Sequence, residues 1–198
     1  YIWNIALYAD AIHTDTTDVW IGNSGSATWV TSARNYQRYF TPRDATEVGI
    51  SQRHQGNFHS GFISYAPLFV RGHYVTIEGL SLIVNSGVYC IYSYPPATNA
   101  SAGGVRKIID NMMLNTYDSV NTAYIYANPA IENFTTIVSN NIAIVDPATN
   151  TSSTAFFING TDNTVNYYLY NNTFVNRSGG PAIMRNTGNV TAKNNILV

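Results

Sequence analysis

Five segments decide the fold: VTIEGLSLIV (75–84), KIIDNMMLN (107–115), IVSNNIAIV (137–145), YLYNNTFVN (168–176) and AKNNILV (192–198). Each sets a small or amide residue before an apolar alternation of strand period. Taken at Gly79, Asn111, Asn141, Asn172 and Asn195, the anchors lie 32, 30, 31 and 23 residues apart. A second strand-like run follows each of the first four: VYCIYSYP (88–95), TAYIYANP (122–129), TAFFINGT (154–161) and PAIMRNTG (181–188). Short β runs recurring at this interval, joined by Asn/Gly/Ser/Thr-rich turns, predict a β-solenoid, because one such coil cannot bury its apolar face except against the next.

The amides give the repeat a physical test. Parallel coils stack about 4.8 Å apart, so a residue in one coil lies over its counterpart in the next. Asn111, Asn141, Asn172 and Asn195 then form a ladder in which each amide donates to one coil and accepts from another. The doublets Asn140–Asn141, Asn171–Asn172 and Asn194–Asn195 fit it, with Asp110–Asn111 and Glu78–Gly79 as variants. A buried Asn without that partner costs roughly 1–3 kcal/mol, so the column is consistent only if coils stack. The apolar columns Leu80, Met112, Ile142, Ile196 and Leu82, Leu114, Ile144, Val175, Val198 follow the same register.

The second runs, aligned on their endings, set Tyr92, Tyr126, Ile158 and Arg185 in one column and Cys90, Tyr124, Phe156 and Ile183 two residues before. If Arg185 faces solvent, alternation turns both columns outward. Tyr92, Tyr124, Tyr126, Phe156, Ile158 and Arg185 are therefore the predicted contact stripe. An exposed aromatic patch of this size implies a cover: the chain's own loops, a neighbouring subunit, or a glycan on the tyrosines.

LFVRGHYVTIEGLSL (68–82), with the Asn-doublet coils that follow, resembles the pectate-lyase-like superfamily of right-handed parallel β-helix proteins. The likeness spans about residues 67–198 and implies an all-β, right-handed parallel β-helix. It leaves activity open, since the superfamily holds polysaccharide lyases, glycoside hydrolases, tailspikes and non-catalytic adhesins. RHQGNFHSGF (53–62) resembles an Arg-His-x-Gly element of uncharacterised environmental or viral β-helix proteins. The aromatic-rich segment 1–66 reads as an N-terminal cap with irregular first coils, and 67–198 as regular coils of one continuous domain. Tyr1 at the start and the strand-like NNILV at the end read as part of a longer chain or assembly.

Charged residues make up 11% of the chain, with a formal net charge of −1. Without a Lys/Arg cluster, nucleic acid is excluded as the expected partner. No run of about 18 apolar residues offers membrane insertion. An uncharged Asn/Thr/Ser surface suits sugars, and with the β-helix resemblance it points to an extracellular, cell-surface or virion setting. The single Cys90 allows no intrachain disulfide and reads as buried filler.

Chemistry is sparse. The superfamily's lyases and hydrolases imply clustered carboxylates in neighbouring columns, and here Glu78 and Asp110 are the pair read into one column. With Arg106 and Lys107 they are the weak catalytic candidates, set against a plain ladder variant. Asp15 and Asp18, beside His13, offer too few oxygens for a firm Ca2+ site, and His54 and His59 read as structural. No metal or cofactor is assigned. Asn99 and Asn150 are the sequons placed in long loops, hence the glycosylation candidates. The leading expectation is a non-catalytic structural or glycan-binding module of an appendage, fibre, adhesin or virion surface, pairing with copies of itself as a trimer or filament, with polysaccharide, or with both. The alternative is a polysaccharide lyase or glycoside hydrolase with its site outside or partly inside this segment.

Overall fold

The computed structural model describes residues 1–9, 17–22, 31–44, 46, 52–85, 89–94, 103–117, 123–127, 134–146, 153–159 and 164–198, without the side chains of 123, 124 and 127. The chain climbs in successive turns. The first contributes β1 (Ile2–Ala6) and β2 (Val19–Ile21), the second β3 (Tyr36–Phe40), β4 (Ile63–Ser64) and β5 (Leu68–Val70). Four full coils follow: β6 (Tyr74–Glu78), β7 (Ser81–Val84), β8 (Tyr89–Ser93); β9 (Gly104–Ile109), β10 (Met112–Asn115), β11 (Ala123–Ala127); β12 (Phe134–Ser139), β13 (Ile142–Val145), β14 (Thr154–Ile158); β15 (Asn166–Tyr170), β16 (Thr173–Asn176), β17 (Ile183–Arg185). β18 (Asn189–Lys193) and β19 (Ile196–Leu197) make the last described turn. The strands stack into three parallel sheets, the first of 7 strands from β1 and β3 to β18, the second of 6 from β4 to β19, and the third of 6 from β2 and β5 to β17. The protein is an all-β parallel β-helix, and residues 1–66 supply β1 to β4 to its sheets.

The corner between the first and second sheets explains the doublets. Gly79, Asp110, Asn140, Asn171 and Asn194 have φ of 77°, 54°, 57°, 54° and 55°, the left-handed region that glycine enters freely and Asn and Asp tolerate best. The second doublet residue is the ladder. Asn195 Oδ1 accepts from Asn172 N at 2.9 Å and Nδ2 at 3.0 Å, Asn172 Oδ1 from Asn141 N and Nδ2 at 3.0 Å each. Asn141 Oδ1 accepts from Asn111 N at 2.9 Å and Nδ2 at 3.0 Å, and Asn111 Oδ1 from Leu80 N at 3.0 Å. The second amide hydrogens reach carbonyls of Ile77, Ile108, Val138 and Leu169. Asn111, Asn141 and Asn172 thus spend both amide donors, and each amide accepts twice where a neighbour offers two, which is why these three can be at most 1% exposed.

This corner corrects the expected alignment by one residue in its first coil. Glu78 pairs in register with Ile109, so Gly79 stands beside Asp110, and Leu80 takes the ladder place beside Asn111. Glu78 and Asp110 do not share a column. The columns Met112–Ile142–Ile196 and Leu114–Ile144–Val175 keep their register but line the outside of the second sheet; Leu80 and Leu82 do not belong to them. The core column is Leu82, Met113, Ala143 and Phe174, all 0% exposed. Facing it are Ile77, Ile108, Val138 and Leu169 of the first sheet and Leu68, Ile91, Ile125 and Phe156 of the third, all 4% exposed or less.

Candidate functional site

The third sheet carries the site, and its register decides which side chains face out. Trp20 pairs with Phe69, Phe69 with Tyr92, Tyr92 with Tyr126, Tyr126 with Phe157 and Phe157 with Met184. Six successive rungs thus put a large apolar side chain, five of them aromatic, on one outer line. At about 4.8 Å per rung the line runs about 24 Å. Cys90 and Ile91 are both fully buried, so β8 turns its corner there and Tyr89 joins Tyr92 on the outer face. Tyr94, two residues beyond Tyr92, completes the cluster.

The rings touch without a break. Trp20 stacks on Phe69 at 4.6 Å between centroids, and Phe69 meets Tyr92 edge-on at 6.0 Å. Tyr92 lies 3.7 Å from Tyr94, 4.7 Å from Tyr89 and 4.7 Å from Tyr126, and Tyr126 meets Phe157 at 5.1 Å. Such pairs are worth about 0.5–1.5 kcal/mol each beyond the area they bury, so the face is held rigid before anything binds. Trp20 is 38% and Met184 42% exposed, Tyr126 is 9%, and Phe69, Tyr89, Tyr92, Tyr94 and Phe157 are half-buried. Burial and the neighbouring phenols push the Tyr89 hydroxyl up to about 12, and burial also raises Tyr126, whose oxygen accepts a hydrogen bond from Asn159 Nδ2. These are neutral phenols, each with a ring for stacking and a hydroxyl for hydrogen bonding.

Part of the predicted stripe lies elsewhere. Tyr92 and Tyr126 stand in the outer line, but Phe156 and Ile158 are 0% exposed and belong to the core. Phe156 pairs with Ile125 and Ile158 with Ala127, one residue away from the expected alignment, and Phe157 takes the outer place. Two adjacent phenylalanines make both registers look apolar; only the pairing tells them apart. Arg185 is exposed and pairs with Ile158, its guanidinium donating to Gly188 O at 3.1 Å. The Tyr124 side chain, Asn99, Asn150, His13 and Asp15 lie outside the described residues. Trp20, Phe69, Tyr89, Tyr94 and Phe157 were missed. Trp20 and Phe69 belong to early coils that lack the Asn doublet, so no sequence anchor aligned them.

The four weak catalytic candidates separate. Arg106 is 1% exposed in the core: Nε donates to Gly72 O at 2.8 Å, Nη1 donates to Ser93 Oγ, and the guanidinium lies 4.6 Å over the Phe134 ring. Burial, chiefly, lowers it to about 9. Lys107, the next residue, points out to solvent on the opposite side of the strand. They cannot serve one substrate.

Glu78 and Asp110 do meet, through Arg53 of the Arg-His-Gln-Gly element. Arg53 Nη2 holds Glu78 Oε1 at 2.7 Å and Nη1 holds Asp110 Oδ2 at 3.1 Å, while Arg38 Nη2 holds Glu78 Oε2 at 2.9 Å. Burial of Glu78 opposes its ionisation, but the hydrogen bonds and charges of Arg53 and Arg38 outweigh it and hold the carboxyl below its ordinary value. His54 Nε2 donates to Asp110 O at 2.6 Å. A Cβ at Gly79 would collide with Arg53 Nε and Thr41 Oγ1, so glycine there serves both the turn and the arginine. Two carboxylates each committed to a guanidinium act as a clasp, fastening segment 52–62 to the corner of the coils. Among the described residues no cluster of three or more His, Cys, Asp or Glu could hold a metal, and His59 is exposed and apart from the clasp. Cys90 is buried and its thiol is pushed up by burial, as suits core filler.

No protein-family model matches the chain, and neither the curated proteins nor the solved structures hold a match.

Proposed function

We propose that this protein is a non-catalytic glycan-binding β-helix module of an extracellular appendage, fibre, adhesin or virion surface, and that the outer face of its third sheet holds the sugar chain. The observation that carries the reading is the unbroken aromatic line from Trp20 to Phe157. The C–H faces of pyranose rings stack on the negative faces of aromatic rings. A rung spacing of about 4.8 Å is close to the length of one sugar residue, so a chain laid along the helix axis meets a new ring at each unit. Tyrosine hydroxyls and the flanking Asn159 and Asn186, themselves joined at 2.9 Å, supply uncharged hydrogen-bonding groups for sugar hydroxyls. Catalysis finds less support, because the acids that approach each other, Glu78 and Asp110, are both ion-paired to Arg53, and Glu78 to Arg38 as well.

Affinity electrophoresis in gels containing soluble polysaccharides tests the proposal. Retardation of the wild-type protein is expected with at least one polymer, and Tyr92→Ala and Phe157→Ala should abolish it while leaving the thermal transition cooperative. Migration unaffected by every polymer, together with sedimentation as a stable oligomer that buries Trp20, would instead make the line a subunit contact.

A further inference from the structure

Among the described residues one cation, Arg71, is set into the aromatic line. Arg71 follows β5, and its backbone N–H donates to Ile21 O at 2.8 Å, which seats it beside Trp20. Gly22 and Gly72 make this possible: a Cβ on Gly22 would collide with the backbone of Gly72, so the two coils approach at the backbone next to Arg71. The guanidinium carbon lies 4.5 Å from the centroid of Trp20 and 4.9 Å from that of Tyr94. Its Nε is buried without an acceptor, and the guanidinium has no hydrogen bond or ion pair with any other described residue.

The other arginines packed on the helix are provided for. Arg38, Arg53 and Arg177 hold carboxylates, and Arg106 and Arg185 donate to carbonyl or hydroxyl oxygens. Arg71 alone among these keeps its donors uncommitted, half-buried, at the Trp20 end of the line. An arginine held against two aromatic rings is positioned before a ligand arrives, and its planar fork matches a carboxylate or a sulfate. Residues Phe69, Tyr89, Tyr92, Tyr94, Tyr126 and Phe157 bring no negative charge to oppose it.

Resting on the glycan-binding reading above, we infer that the sugar chain taken by this face is anionic, and that Arg71 pairs with an acidic group, carboxylate or sulfate, on the unit stacked nearest Trp20. Arg71 thereby fixes the register of the chain on the line, while the rings beyond it supply stacking that does not depend on charge.

The test compares a polyuronate, a sulfated dextran and an uncharged β-glucan as probes for the wild-type protein and for Arg71→Gln, Arg71→Lys, Tyr92→Ala and Phe157→Ala, with thermal melts to establish that each variant is folded. At least one anionic polymer should bind more tightly than the uncharged one, and the better of the two tells carboxylate from sulfate. Losing a charged hydrogen bond should weaken that binding roughly 10- to 100-fold in Arg71→Gln, and added NaCl should do the same to the wild type. Arg71→Lys should recover part of the loss. Equal binding of the uncharged polymer, or anionic binding unchanged in Arg71→Gln, overturns the inference and leaves Arg71 a packing staple. If Tyr92→Ala and Phe157→Ala still abolish binding in that case, the glycan-binding reading stands without the acidic group. If no polymer binds at all, both fall together.

Discussion

Two columns of like side chains run along this molecule, the amides inside the short corner and the aromatic rings outside the third sheet. Both repeat once per coil and both touch from rung to rung. They differ in what would happen without them. Asn111, Asn141 and Asn172 satisfy one another at 0–1% exposure and take up backbone N–H groups at the corner, so the fold requires them. The rings sit where Thr or Ser could serve a strand as well, and solvent would satisfy whatever was exposed. A column that the fold requires is evidence of architecture. One that the fold could do without, yet keeps through five aromatic rungs, is evidence of contact.

The sharpest way to break this contrast is a substitution in each column. Asn141→Leu strands the Asn111 N–H and takes the acceptor from Asn111 Nδ2, and should lower stability by about 3 kcal/mol or more. Phe157→Ala should cost only about 1–2 kcal/mol while removing the proposed sugar binding. Urea unfolding midpoints give both numbers, and equal costs would erase the distinction. Within the doublet itself, Asn140→Val must force a β-branched residue to a φ near 57° and should cost about 1–2 kcal/mol or more, whereas Asn140→Gly should be nearly neutral. Asn141→Gly, in contrast, should be as damaging as Asn141→Leu.

The charged clasp gives a smaller, pH-dependent effect. The Glu78 carboxyl titrates below its ordinary value in the folded chain, so the stability it contributes is present above about pH 4.5 and drains away as pH falls through the lowered value. Glu78→Gln should flatten that acid limb in thermal melts; an unchanged limb would mean that other carboxylates set it. Smallest is an alkaline effect. Tyr89 keeps its proton to about 12 in the folded state while an unfolded tyrosine loses it near 10, so stability should decline between these values as pH rises. Ultraviolet titration should show Tyr89→Phe removing one late-ionising phenol.

Much of the fold was legible in the sequence because the corner demands two unusual residues in a row. A left-handed position followed by a buried amide leaves Asn-Asn as the recurrent answer, and Asn140–Asn141, Asn171–Asn172 and Asn194–Asn195 mark the coils plainly. Where the corner uses Gly79–Leu80 instead, the same rule produced an error of one residue, since glycine answers only the first demand. The site was less legible. The adjacent pair Phe156–Phe157 fits either register, and the bend at Cys90–Ile91 breaks the alternation on which side-chain direction was read. Arg53 lies 25 residues from Glu78 and 57 from Asp110, so no local spacing could reveal the clasp.

The register of the third sheet underlies both the aromatic line and the sugar binding proposed for it, and thiol accessibility tests it most directly. Phe156→Cys, Phe157→Cys and Ile158→Cys would each be treated with a water-soluble maleimide under native conditions, against the silent background of buried Cys90. This register requires prompt labelling of Phe157→Cys alone, with the other two reacting only after unfolding. Rapid labelling of Phe156→Cys or Ile158→Cys, with Phe157→Cys protected, would contradict it.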